Sequence, residues 1–257
     1  MATYTLTPAQ LKGAGIYNSF EIPAGGGSLF SSTYSFVFDG TDDYIDCGTL
    51  LKTYLELGDS FSFSVWFKID VGGTEQSLVD NLGGTNLGVQ LRATSANRVR
   101  LIIVNNGFTY IYRDSSVLNT ATWYHVCGTY DGSNTLAGIN IYIDGDLDNS
   151  TGGGQNPITT ITSPESFTIG RGGYFSGNID EVAVFNIELS ASNVTTIYNS
   201  GVPNDLSSLS PLSWWRMGEA ATFDGIRDWD LVDQGSGGNN ATSQNMAEDQ
   251  RVTDVPS

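Results

Sequence analysis

The 257-residue sequence predicts an all-β protein: an antiparallel β-sandwich with one short helix and extended termini. Three observations predict it. Phe61, Phe63, Val65, Phe67 and Ile69 alternate with Ser62, Ser64, Trp66 and Lys68, the period of two of a strand with one face in a core. Turn signals separate several such runs with no helical pattern between them, which argues for paired antiparallel sheets. Gly is abundant (31), Pro is modest (7), and the aromatics lean to Tyr (12) and Phe (12), as suits short strands joined by Gly-rich turns.

The elements follow in order. Residues 1–29, with Thr7-Pro8 and Gly25–Gly27, read as an N-terminal arm. The main domain is expected over 30–202. Arg98–Val104 and Phe108–Arg113 flank Asn105-Asn106-Gly107, residues that tolerate positive φ and so predict a hairpin. Ile139, Ile141 and Ile143 alternate ahead of Asp144-Gly145, a second hairpin on the same reasoning. Gly152–Gly154 predicts a loop. Gly170-Arg171-Gly172-Gly173 predicts a turn, since it lacks the Lys and following Ser or Thr of a phosphate loop. Ile179, Val182, Val184 and Phe185 make an apolar β-prone run behind Gly177. Ser190 can cap a helix whose Val194, Ile197 and Tyr198 recur at helical spacing, and Gly201 is expected to end it in a left-handed conformation. In 203–257, the aromatic patch Leu212–Gly218 is expected to add a strand and the polar stretch from Asp224 to wrap the surface, without a second domain.

Eleven Lys and Arg against 28 Asp and Glu leave a net charge of −17. Phosphate backbones and anionic membranes are bound through Lys and Arg, so neither nucleic acid nor a membrane surface is an expected partner. No apolar run reaches the length of a membrane span, and the start MATYTLTPAQLKGAG lacks the basic and apolar regions of a secretory signal. Cys47 and Cys127 are too few for a disulfide framework; both lie in apolar strand patterns, as buried free thiols or as one bond. Asn149, Asn193 and Asn240 fall in glycosylation sequons, which without a leader read as chance matches.

Among chemical groups, Asp39 and Asp42, with Asp43 as a substitute, crowd a Gly-containing turn that can offer oxygens to Ca2+ or simply cap itself. His125, the single histidine, alternates with apolar neighbours and is expected to pack at a sheet edge. It has no second general base beside it in the sequence, so it is not read as catalytic. Asp180 and Glu181 are adjacent, and successive strand side chains face opposite sides, whereas glycoside hydrolysis needs two converging carboxyls. No enzyme is expected. Tyr110, Tyr112, Tyr174 and Phe175, with Trp214 and Trp215, are candidates to stack on sugar rings or pack on a partner, the alternative being that they fill the core.

Gly177–Val182 followed by Leu189-Ser190 and a short helix resembles the closing signature of the laminin-G-like, concanavalin A-like jelly-roll family. Upstream, Phe36–Gly40, Asp42–Ile45, Phe61–Phe67, Trp123–Val126, Thr129–Gly132, Ile141–Gly145 and Phe167–Gly170 agree with the family in order and spacing, over roughly 30–201. The resemblance implies a structural Ca2+ where the opening Asp-Gly turn meets the closing strand, at Asp39, Asp42 and Asp180. It also implies a non-enzymatic module for protein or glycan contact. Such modules work outside cells; a virion protein, made in the host cytoplasm and released by lysis, reconciles that with the missing signal. Trp214–Glu219 and the acidic, Lys-poor composition look similar to bacteriophage structural proteins. The expectation is therefore a virion surface component, a capsid decoration or tail-associated adhesion protein. Its partners would be other virion proteins, further copies of itself and a host-surface glycan. The alternatives are a bacterial cell-surface lectin or adhesin and a polysaccharide-active enzyme.

Overall fold

The computed structural model describes residues 30–56, 58–82, 87–105, 109–155 and 163–257. The chain divides into two units, Met1–Phe30 and Ser31–Ser257. The arm expected at 1–29 and the Asn106-Gly107 turn lie outside the described residues.

Eighteen strands are described in the second unit. The first seven are β1 (Ser35–Asp39), β2 (Tyr44–Asp46), β3 (Phe61–Ile69), β4 (Gln76–Asp80), β5 (Gly88–Ala93), β6 (Arg98–Val104) and β7 (Tyr110–Val117). Next come β8 (Trp123–Tyr130), β9 (Ile139–Ile143), β10 (Asp146–Leu147), β11 (Thr151–Gly154), β12 (Thr168–Ile169) and β13 (Ser176–Phe185). After the helix α1 (Ala191–Tyr198) follow β14 (Ser213–Trp215), β15 (Ala221–Phe223), β16 (Trp229–Leu231), β17 (Ala241–Gln244) and β18 (Arg251–Val252). One sheet runs β10-β9-β8-β3-β13-β1-β18, with β14 also on β13; the other runs β11-β7-β6-β5-β4-β12-β2-β17-β16-β15. All pairings are antiparallel, and the two sheets enclose one apolar core, the sandwich that the alternating patterns predict.

The core is aromatic. Phe36, Phe61, Phe63, Phe67 and Phe167 are fully buried or nearly so, and Phe167 stacks on Trp215 at 6.3 Å. Trp215, Met217, Trp229, Leu231 and Met246 belong to the same cluster. Residues 203–257 thus add five strands, spread over both sheets, and part of the shared core. The Asp144-Gly145 hairpin forms with φ of 51° and 85°, the left-handed pair such a turn needs.

Three local expectations change. Gly152–Gly154 is an edge strand paired with Tyr112 and its neighbours, not a loop. The helix is capped by Ser190, whose hydroxyl accepts from Asn193 N at 3.2 Å, but it ends at Asn199 (φ 48°), ahead of Gly201. Asn tolerates the left-handed region because its short polar side chain bonds locally. His125 lies in β8, inside the sheet rather than at its edge, and is fully buried.

Candidate functional site

Two places gather chemistry in the described residues. One is the middle of β13. β1 pairs with residues 176–179 of this strand and β14 with 182–184, along the same edge. Between them the register against β3 slips by one residue, and Glu181 has φ 47°. This bulge overturns the expectation that Asp180 and Glu181 face opposite sides. It turns both to the outer face, where their oxygens and one of Glu219 lie within 4.8 Å of one another. Ser32 donates to Asp180 Oδ2 (2.6 Å), Trp214 Nε1 to Glu181 Oε2 (2.7 Å) and Arg216 Nε to Glu181 Oε1 (3.1 Å). Tyr34 N donates to Glu219 Oε1 at 3.0 Å, while Glu219 Oε2 is buried without a hydrogen-bond partner among the described residues. Burial and then the Glu181 charge push Asp180 well above the usual carboxylate range. Burial raises Glu181 to about 7, against the pull of Arg216 and Trp214.

The expected metal set is divided by this geometry. Asp39, Asp42 and Asp43 do converge, in the turn between β1 and β2. Asp39 Oδ1 caps that turn by accepting from Thr41 N at 2.7 Å. Asp43 is buried, accepts from Asp39 N (2.8 Å) and from Gln250, and is raised to about 6, chiefly by burial. Asp180 is not with them. Asp39 stands opposite Ser176, and Asp180 is four residues further along β13, ~13 Å at the rise of a strand.

The second place is the outer face of the β11–β15 sheet. Core residues Val89, Leu91, Leu101, Ile103 and Ile111 alternate with outward Gln90, Arg92, Arg100, Ile102, Tyr110 and Tyr112. Tyr110 is 42% exposed and its ring lies 6.0 Å from that of Tyr112. The Arg100 guanidinium lies 3.9 Å from the Tyr112 ring centre and grips Asp114 through two bonds of 2.6 and 2.9 Å. Arg92 Nη1 meets Glu75 at 2.9 Å. Beside them the 170–174 turn arches over β4: Gly172 N donates to Asp80 Oδ2 at 3.1 Å, and a Cβ on Gly172 would crowd Asp80 (2.5 Å) and Gln90 (2.6 Å). Tyr174, 36% exposed, ends this arch.

Of the four aromatics expected to meet a ligand, Tyr110 and Tyr112 share this face. Phe175 does not: it is buried, edge-on to Phe38 at 6.2 Å, and fills the core. Trp214 and Trp215 are buried too, Trp215 in the core and Trp214 against Glu181. Both cysteines are free and buried. Sequence reasoning missed Glu219, Arg216, Gln90, Arg92, Arg100 and Asp114. For the last four a signal existed: they are the polar positions of the same period-two runs whose apolar positions made the core.

No curated protein matches the chain. Among solved structures, a candidate carbohydrate-binding protein from Bacteroides ovatus superposes with TM-score 0.58 at 18% identity, over 88% of this chain and 62% of that one. The chain therefore spans about three-fifths of that protein's length. A native heptameric SAP-like pentraxin from Limulus polyphemus gives TM-score 0.48 at 16% identity, covering 66% of this chain and 84% of the pentraxin. The CBM40 of a Ruminococcus gnavus sialidase, bound to sialyllactose, gives 0.48 at 15%, covering 66% of this chain and all of the module. Residues 39–195, more than half of the sequence and spanning β2 to the start of α1, match a family described as concanavalin A-like lectin/glucanases. This two-sheet jelly roll belongs to the concanavalin A-like lectin/glucanases superfamily.

Proposed function

We propose that the chain is a non-catalytic binding module carried on the surface of a virion, as a capsid decoration or tail-associated adhesion protein, and that its ligand is a glycan. The observation that carries the binding reading is the outward row on β5–β7, where Tyr110 stands exposed beside Tyr112 and two arginine–carboxylate pairs. Aromatic rings with few rotatable bonds next to fixed polar groups suit saccharide contact. The B. ovatus protein adds an analogy of fold only. Against catalysis stands the packing of the acid cluster: Asp180 and Glu181 are buried, and each carboxylate is held by protein donors. A glycosidase needs its two carboxyls open to the bond they flank. The acidic surface supports a soluble particle component. Cryo-electron microscopy of particles made with and without the gene tests the virion assignment: a discrete surface density is expected to disappear, and unchanged particles reject it.

A structural Ca2+ belongs to the same proposal. The residues fit it at Asp180, Glu181 and Glu219, where three acids lie together, Arg216 pairs with Glu181, and Glu219 Oε2 is buried without a partner among the described residues. A hard cation would supply the missing positive charge and oxygen coordination. Calorimetric titration with Ca2+ is expected to give heat and a raised melting temperature, both lost in Asp180→Asn and kept in Asp42→Asn. Equal loss in the two variants, or no heat with the native chain, rejects this placement.

A further inference from the structure

The binding reading leaves open what kind of saccharide the outer face would take. Across that face the pairings set Gly153 opposite Tyr112, Tyr112 opposite Ile102, and Ile102 opposite Gln90. The row therefore runs over β11, β7, β6 and β5, with an aromatic end and a polar end. At the aromatic end the edge strand carries glycine where a side chain would intrude. A Cβ on Gly153 would sit 3.0 Å from the Tyr112 hydroxyl and 3.1 Å from its ring. Gly153 thus leaves room for the Tyr112 ring to lie against the edge strand, with Tyr110 exposed beside it.

At the polar end two atoms lack partners among the described residues. Gln90 Oε1, on a side chain 6% exposed, is an acceptor with no donor; Arg92 Nε, two residues along the same strand and face, is a donor with no acceptor. The orientation of the Gln90 amide is set by its neighbours, since its nitrogen end faces Ser77 Oγ (3.4 Å) and helps hold the Asp80 carboxylate. Buried polar atoms without partners are costly and uncommon in native proteins. A hydroxyl both donates and accepts, so adjacent hydroxyls on one sugar ring satisfy both atoms. Arg92 is tied at its tip to Glu75, which is more than half exposed, and such a surface link opens at little cost.

Charge decides between neutral and acidic saccharides. Arg100 is matched by Asp114 and Arg92 by Glu75, so the row carries no surplus cation. The chain as a whole, at −17, repels polyanions. We propose, resting on the binding-module reading above, that this row is a site for a neutral saccharide chain. One sugar stacks on the exposed Tyr110 ring, and another presents vicinal hydroxyls to Gln90 and Arg92.

The test uses the full chain on an array of immobilised neutral polysaccharides and polyuronates, each neutral polymer intact and after periodate oxidation, which cleaves the carbon–carbon bond between vicinal hydroxyls. The native chain is expected to bind at least one neutral polymer, with affinity falling tenfold or more after oxidation. Tyr110→Ala and Arg92→Lys should each weaken binding about tenfold, the scale of one lost stacking contact or one lost hydrogen bond to a charged group. Arg92→Lys keeps a positive charge that can face Glu75 but replaces the guanidinium, Nε donor included, with an ammonium, and Tyr110 is exposed, so both variants should melt with the native chain. Native affinity in both variants, or a preference for polyuronates, overturns this site while leaving the binding module standing. No binding of any polymer by the native chain overturns both.

Discussion

At the scale of single residues, burial sets the chemistry of the lone histidine. His125 packs against Trp66 (5.1 Å) and Tyr198 (6.2 Å), its Nε2 is 2.9 Å from Ser64 Oγ, and its Nδ1 has no partner among the described residues. Nothing in that shell welcomes a second proton, and burial pushes the imidazole down to about 3. An unfolded chain offers a histidine that titrates near 6.5. Below that pH the unfolded state takes up a proton that the folded state refuses until about 3. The residue is therefore neutral to stability above pH 6.5 and subtracts from it progressively as pH falls towards 3. Urea midpoints measured from pH 8 to pH 4 should drop more steeply in the native protein than in His125→Gln; parallel curves would refute the assignment. The alternation around His125 was legible in the sequence, but its depth was not, because that depends on α1 placing Tyr198 over the ring.

At the scale of elements, strand identity depended on the partner as much as on the residues. β3 and β9 declare themselves by period and composition. β11 does not: Thr-Gly-Gly-Gly has poor intrinsic strand preference, and only the tyrosine-bearing edge of β7 makes it one. Gly154 has φ 119°, and a Cβ there would run into the Tyr110 carbonyl. Gly154→Val should detach β11, seen as faster amide exchange over 110–114 with the rest of the sandwich protected; unchanged exchange would count against the pairing. The bulge in β13 was likewise hidden. It arises where β1 gives way to β14 along one edge, and β14 comes from the distant residues 213–215.

At the scale of the whole molecule, the family match ends at residue 195 but the core does not. Trp215, Trp229, Leu231 and Met246 lie in the one apolar cluster, and β17 covers the edge of β2. The very end is tied back as well: Ser35 donates to the Asp254 carbonyl at 2.6 Å, and Lys68 pairs with the Asp254 carboxylate. Removing residues 203–257 would expose several large core side chains at once, each costing about 3–5 kcal/mol by analogy with truncation to alanine, more than a domain's typical margin in sum. That truncated chain should be insoluble or melt without cooperativity; a soluble product with native near-ultraviolet dichroism would show that the C-terminal strands are dispensable.

Period-two alternation, hairpin turns and a capped 190–198 segment were enough to determine a two-sheet antiparallel sandwich and its apolar faces, because these depend on neighbours close in sequence. Which acids meet was decided only by the folded chain. Asp180 parts from Asp39 and joins Glu219 through a bulge and a strand pairing between distant segments, and local pattern carries no record of such pairings. The same holds for the outer row: each strand contributes one or two polar side chains, and only the lateral register lays Tyr112, Arg100, Arg92 and Gln90 side by side.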